Sequence, residues 1–235
     1  MEVRKLSIII PVYNERQTLP ILLERVRQVD LAKLGLTKEI IIVDDCSKDG
    51  TADYLKSLNL PEIKVFHHET NQGKGAALHT GLKHFTGDFI IIQDADLEYD
   101  PNEYERVLKP LIMGVADVVY GSRFIGSSPH HVMYFGHYLG NKFITFCTNL
   151  ASNLNLTDIE TCYKAFTKEA IRSVNLKEKR FGFEPEVTIK LAKKRWRFYE
   201  VGISYYGRSY AEGKKIRWTD GVRALYVIFK YWLFA

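Results

Sequence analysis

The chain has 235 residues, of which 46% are hydrophobic, 26% charged and 13% aromatic, enough apolar material for one sizeable α/β domain and too little charge bias for a disordered chain. Its three cysteines, Cys46, Cys147 and Cys162, are odd in number and form no CxxC pair, which excludes a disulfide scaffold and fits a reducing cytoplasm. The net charge of +5 is unevenly spread, since residues 171–235 hold 15 Lys+Arg against 6 Asp+Glu, a net of +9, and such asymmetry points to a polyanion, either nucleic acid or an anionic membrane surface.

The first apolar run, Leu6 to Val12, reads as a strand. It gives way at once to Asn14 and Glu15, too soon for the apolar core of a signal segment. Leu19, Leu22, Leu23 and Val26 then recur at helical spacing. Glu39 to Val43 is a second strand, followed by Asp44-Asp45-Cys46-Ser47-Lys48, and Asp49-Gly50 opens another segment. Ile63 to Phe66 is a third strand. Gly73-Lys74-Gly75 lacks the spacing of a Walker phosphate loop; its glycines instead let the start of a helix, Gly75 to Phe85, come close to a ligand, with Lys74 either touching that ligand or solvated. Phe89 to Ile92 is a fourth strand and Val118 to Tyr120 a fifth. Gly126 to Tyr138, without periodicity and rich in turn formers, is the expected long loop.

This βαβα rhythm implies a mainly parallel sheet covered by helices, with its ligand beyond the carboxyl ends of the strands. Three of those ends are acidic. Asp49 and Asn14 are equally well explained as helix caps, but Asp94 and Asp96 directly follow Ile90-Ile91-Ile92, several residues before a helix start near Pro101. On extended chain, i and i+2 carboxylates face one side. There Asp94 and Asp96, with Glu98 two residues on, have the chemistry of a Mg²⁺ or Mn²⁺ site completed by phosphates.

Pro11-Val12-Tyr13-Asn14-Glu15, Asp44 to Thr51, Asn71 to Ala77 and Gln93-Asp94-Ala95-Asp96-Leu97-Glu98 together resemble, in order and approximate spacing, glycosyltransferase family 2. Gly121-Ser122-Arg123, Asp158 to Lys164 and Arg208 to Lys214 narrow the resemblance to the polyprenyl-phosphate glycosyltransferases of the dolichyl-phosphate mannose synthase and glucosyltransferase type. The resemblance implies a single-domain GT-A fold, Rossmann-like, with a mainly parallel mixed sheet flanked by helices. It also implies inverting transfer of a hexose from a UDP- or GDP-sugar to undecaprenyl or dolichyl phosphate, assisted by Mg²⁺ or Mn²⁺, at the cytoplasmic face of a membrane and without nucleic acid.

Carried over residue by residue, the resemblance puts Pro11, Tyr13, Glu15, Asp44 and Asp45 around the nucleoside and Asp94, Asp96 and Glu98 on the metal and diphosphate, with Lys74 at the helix start near the nucleotide. Arg208 and Lys214 would close over the diphosphate, unless that stretch is only a solvated basic turn. Arg123, His131 and Lys164 would meet the acceptor phosphate, although Lys164 and Cys162 stand where relatives have Arg and Gly. Asp158 is the remaining catalytic candidate beside Asp96, as a base, as a group orienting the acceptor, or as a structural cap. A glycan acceptor or a silent nucleotide-sugar-binding or membrane-binding module are the competing readings.

After a catalytic region spanning 1–218, residues 219–235 read as an amphipathic helix. From Gly221 its 15 residues reach about 22 Å, short of the roughly 30 Å hydrocarbon core. Arg223 and Lys230 share one face, with Leu225, Phe229, Trp232 and Leu233 elsewhere, so the segment either rests at a membrane interface or packs on the domain.

Overall fold

The computed structural model describes residues 3–126, 129–208 and 218–234. The elements in chain order are β1 (Arg4–Val12), α1 (Leu19–Gln28), β2 (Leu36–Asp44), α2 (Thr51–Ser57), β3 (Ile63–His67), α3 (Lys74–His84) and β4 (Phe89–Ile92). There follow α4 (Tyr104–Ile112), β5 (Val118–Ser122), α5 (Phe135–Ser152), β6 (Lys164–Thr167), α6 (Lys168–Arg172), α7 (Phe183–Lys193), β7 (Phe198–Gly202) and α8 (Trp218–Phe234). The seven strands lie in one sheet in the order β3-β2-β1-β4-β6-β5-β7.

Ile8, Ile9, Ile10, Ile40, Ile41, Ile42, Ile90 and Ile91 are all wholly buried. A strand covered on both faces needs apolar residues at every position, which is why these segments read as unbroken runs. The β1, β2, β3 and β4 pairings are parallel, as are β5 and β7. β6 runs antiparallel between β4 and β5. The chain leaves β1 toward β2 and β3, then returns to pair β4 on the other side of β1. Ligands collect at this reversal in open α/β sheets.

The sequence rhythm misses β6 and β7. β6 is four residues beginning with a lysine, and Glu200 sits in the middle of β7, so neither stands out by composition. Their partners lie 40 or more positions away along the chain. The expected loop from Gly126 to Tyr138 is also shorter, because α5 begins at Phe135 and the His131 amide donates to the Tyr205 carbonyl at 2.7 Å.

Helix α8 packs on the domain and leaves an apolar face exposed. Its Val227, Ile228 and Tyr231 form a small core with Ala151 of α5 and Ile189 of α7, while Val222, Tyr226, Phe229, Trp232 and Leu233 are exposed. Arg223 and Lys230, expected to share one face, both turn inward onto Glu178 at 2.9 and 2.8 Å.

Near the sheet's opposite end, Glu39 is 6% exposed. It accepts from the Ser7 hydroxyl at 2.6 Å, the Thr86 amide at 2.6 Å and hydroxyl at 2.9 Å, and Lys64 at 2.9 Å. Burial alone would raise this carboxyl, but those donors outweigh it and hold it at about 2. A depressed carboxyl contributes stability above its unfolded value and loses it as pH falls toward the folded one. Glu39→Gln should therefore cost roughly 1–3 kcal/mol near neutral pH and flatten the loss of stability between about pH 4.5 and about pH 2, as read by urea denaturation across that range.

Candidate functional site

The loops after β1 and β2 are tied to each other by side chains. The Asn14 amide donates to Ser47 Oγ at 2.9 Å and Asn14 Oδ1 accepts from the Lys48 amide at 2.8 Å. The Glu15 amide donates to Thr51 Oγ1 at 3.1 Å, and the Arg16 amide to Asp49 at 3.0 Å. Asn14, Cys46 and Leu97, after β1, β2 and β4, all hold positive φ, at 52°, 64° and 64°. Left-handed backbone at non-glycine residues is costly and gathers at working sites.

Asp44 and Asp45 are each 2% exposed. Asp44 accepts from the Ser47 amide and sits 3.1 Å from His67 Nδ1. Asp45 lies 2.7 Å from His68 Nδ1 and accepts from the Gln72 and Gly73 amides at 2.9 and 2.7 Å. The acid expected at the nucleoside thus also shapes the turn into α3, where Gly73 adopts φ 97°. Pro11 and Val12 close β1, and Tyr13 follows at its half-buried rim.

From that turn Lys74 reaches Asp94 Oδ2 at 2.9 Å and Glu184 Oε1 at 3.6 Å. On the other side of the β4 end, Arg208 places Nη1 and Nη2 each 3.2 Å from Glu15. Its Nη2 is 3.4 Å from Asp96, and its amide donates to Glu98 Oε1 at 2.8 Å. Asp96 is pushed up to about 7 by burial and by the neighbouring charges of Asp94 and Glu98, with Arg208 opposing. Lys214 lies outside the described residues.

Among the described residues no three side chains of metal-binding type are already gathered as a ligand set. The Asp94 and Asp96 pair nevertheless fits a hard divalent ion that takes its other ligands from a diphosphate. Their mutual repulsion is what an added cation would relieve, and Arg208 already supplies cationic charge to that pocket.

The expected acceptor group is arranged differently. Arg123 Nε and Nη2 grip Asp158 at 2.6 and 2.7 Å, a forked pair in which Asp158 is wholly buried and Arg123 8% exposed. Burial opposes the charge on Asp158, but Arg123 outweighs it and holds the carboxyl below its ordinary value. The Arg123 guanidinium lies 5.1 Å over the Tyr205 ring, and Tyr205 donates its hydroxyl to Glu98 at 3.2 Å. Lys164 is a correction: 1% exposed, its ammonium donates to the carbonyls of Ile159 and Thr161 and faces the Tyr120 ring at 4.7 Å, so it presents nothing to an acceptor. His131 is exposed at the rim.

Sequence reasoning passed over Glu184, Glu200, His68 and Tyr205. Glu200 accepts from the Thr157 amide at 2.9 Å and the Asp158 amide at 3.2 Å, fixing the Asp158 loop. Glu184 Oε2 and Glu160 Oε1 are buried without a hydrogen-bond partner among the described residues. Only Tyr205 carried a local signal, three positions before Arg208; the others matter through contacts far apart in sequence.

A family model described as glycosyl transferase family 2 matches residues 7–174. The undecaprenyl-phosphate mannosyltransferase of Micrococcus luteus is 31% identical over 218 residues, covering 88% of this chain and 85% of that protein. The dolichol-phosphate mannosyltransferase of Pyrococcus furiosus is 30% identical over 234 residues, covering 97% of this chain but 64% of that protein. Among solved structures, glucosyl-3-phosphoglycerate synthase from Mycobacterium tuberculosis, in complex with Mn²⁺, UDP and phosphoglyceric acid, aligns with a TM-score of 0.74 at 18% identity, covering 97% of this chain and 78% of that one. The same enzyme with Mn²⁺ and UDP-glucose aligns at 0.72 and 17%, over 97% and 79%. The expected GT-A architecture is thereby the observed one.

The forked Arg123 and Asp158 pair yields a stability prediction. Arg123→Ala or Asp158→Asn removes one partner and leaves the other's charge buried or poorly compensated, so each should cost about 3–5 kcal/mol in urea denaturation. A loss below about 1 kcal/mol in both would mean that the pair opens to solvent.

Proposed function

The chain belongs to glycosyltransferase family 2, and from that premise we propose that it transfers a hexose, with inversion, from a UDP- or GDP-sugar to a polyprenyl phosphate at a membrane surface. The observation that carries this reading is the charge arrangement at the reversal of the sheet. Asp94, Asp96 and Glu98 face Lys74 and Arg208 there, where a nucleoside diphosphate would lie across the ends of β1 and β4. The mannosyltransferase relatives support the lipid phosphate, and the UDP complexes of the structural neighbour support the donor class.

In the proposed mechanism Asp94 and Asp96, with Glu98 beside them, would hold Mg²⁺ or Mn²⁺, whose contribution is to neutralise charge on the departing diphosphate. Lys74, already against Asp94, adds a fixed positive charge at the start of α3. Arg208 exchanges Glu15 and Asp96 for diphosphate oxygens as the donor binds, so the pocket carries cationic charge before and after binding. Pro11, Tyr13, Asp44 and Asp45 form the nucleoside wall.

The acceptor phosphate oxygen attacks the anomeric carbon from the face opposite the diphosphate. One C–O bond forms as the other breaks, and the electron pair leaves with the nucleoside diphosphate. A phosphate monoester is largely ionised near neutral pH, so no strong enzymic base is needed. Asp158 accordingly acts by fixing Arg123, the proposed acceptor cation, with His131 at the rim as a further donor when protonated.

The membrane part of the proposal gains from a feature the sequence reading left out. Phe135, Leu139, Phe143, Phe146 and Leu150 are all exposed and recur at three and four residues along α5. α8, which packs against α5, likewise exposes Tyr226, Phe229 and Leu233. Two adjacent helices with outward aromatic faces have the make-up of an interfacial platform. No helix among the described residues is long and apolar enough to cross a membrane.

Two measurements test these proposals. Asp96→Asn should lower kcat by roughly 10²–10³ while the protein stays folded, and excess chelator should do the same to the wild type. Full turnover in either case rejects the metal role. Phe143→Glu with Phe146→Glu should weaken co-sedimentation with anionic vesicles at least about tenfold, given about 1.5–3 kcal/mol for each buried aromatic, while nucleotide binding in solution persists. Unchanged co-sedimentation rejects the platform.

A further inference from the structure

Glu178 lies between α6 and α7 in the chain and is 4% exposed. Its carboxylate takes three donors from α8: Arg223 at 2.9 Å, Lys230 at 2.8 Å and the Tyr231 hydroxyl at 3.3 Å. The Lys177 and Glu178 amides donate at 2.8 and 2.7 Å to Glu186 in the first turn of α7. The segment carrying this acid is therefore fixed from two helices.

The same segment rests on the turn that presents Lys74. The Ala76 amide donates to the Lys179 carbonyl at 2.9 Å. A Cβ on Gly75 would lie 2.3 Å from the Glu178 carbonyl oxygen and 2.9 Å from that of Arg180, and one on Gly73 would lie 2.7 Å from the Lys179 carbonyl oxygen. Both glycines are needed because backbone 178–180 occupies the place their side chains would take. Lys74, between them, reaches Asp94 at 2.9 Å. The contacts thus run unbroken from α8 through Glu178, segment 178–180 and the glycine turn to Lys74 and Asp94.

We propose that Glu178 is a positioning residue for the donor site: by latching α8 to segment 178–180 it holds the glycine turn in register, so that the seating of α8 is felt as donor affinity at Lys74. The proposal rests on the nucleotide-sugar reading of Lys74 and Asp94. α8 already has an apolar anchor in Val227, Ile228 and Tyr231, so three polar donors converging on one buried acid exceed what docking the helix requires. Coupling over such a distance needs a contiguous packed path, and here each step is a hydrogen bond, an ion pair or a steric contact.

The test uses the full chain with Glu178→Gln and, as a milder break from the partly exposed side, Arg223→Ala with Lys230→Ala. Three readouts are taken: thermal midpoint, hydrogen exchange of the amides at 73–78, and calorimetric affinity for UDP- and GDP-sugars with Mn²⁺. The proposal expects folded variants, faster exchange at 73–78 and donor binding weaker by roughly 3- to 30-fold. Gly75→Ala, which strains the far end of the path with the latch intact, should weaken the donor similarly and combine with Glu178→Gln by less than the product of the two effects. Unchanged exchange at 73–78, or donor affinity unchanged within about twofold in both latch variants, would overturn it and leave Glu178 a structural anchor of α8. If the wild type binds neither sugar nucleotide, the reading of the site fails instead, and exchange alone decides whether the latch reaches the turn.

Discussion

Negative charge crowded at the carboxyl edge of the sheet is the constraint to which the rest of this structure answers. Glu15, Asp44, Asp45 and Asp158 are each at most 8% exposed, and Asp96 stands among Asp94 and Glu98 in a pocket whose burial and repulsion push its carboxyl up to about 7. Uncompensated buried carboxylates are costly. The fold brings Lys74, Arg123 and Arg208 to three different acids and spends backbone amides and histidines on Asp44 and Asp45.

The compensation is of two kinds. Around Asp45 and Asp158 it is fixed: each carboxylate accepts several donors, and Glu200 in turn holds the amides of Thr157 and Asp158. Around Asp96 it is looser, because Arg208 forks onto both oxygens of Glu15 at 3.2 Å and reaches Asp96 through Nη2 alone, at 3.4 Å. A firmly held frame around a looser centre is what the proposed anionic donor would need, since the walls would not have to rearrange.

The helices beyond the sheet join this pocket to an apolar exterior. α5 and α8 pack together with Phe143, Phe146, Tyr226 and Phe229 exposed, and Glu178 connects α8 to the segment lying on Gly73 and Gly75. In the proposed reaction a water-soluble sugar nucleotide and a lipid-borne acceptor would have to meet in one place. Here the face proposed for the lipid and the turn proposed for the nucleotide are linked by packed contacts.

The sequence by itself determined the strands of the first half and the acids at their ends. Unbroken isoleucine runs alternating with amphipathic helical segments point to a doubly covered parallel sheet, and Asp94 and Asp96 follow such a run too closely to be helix caps. Ordered motifs carried the family in the same way, since each is a local string of residues. Tertiary structure alone decided which charges are available. Arg123 and Lys164 are both cations after or at a strand in the sequence, yet one grips Asp158 and the other is buried against backbone carbonyls. The sequence gives no sign that Glu178 receives Arg223 and Lys230 from 45 and 52 positions away, or that the α5 stripe stays uncovered. Hydrophobic period and turn chemistry are properties of neighbours in the chain, whereas pairing and exposure depend on which distant segments the fold brings alongside.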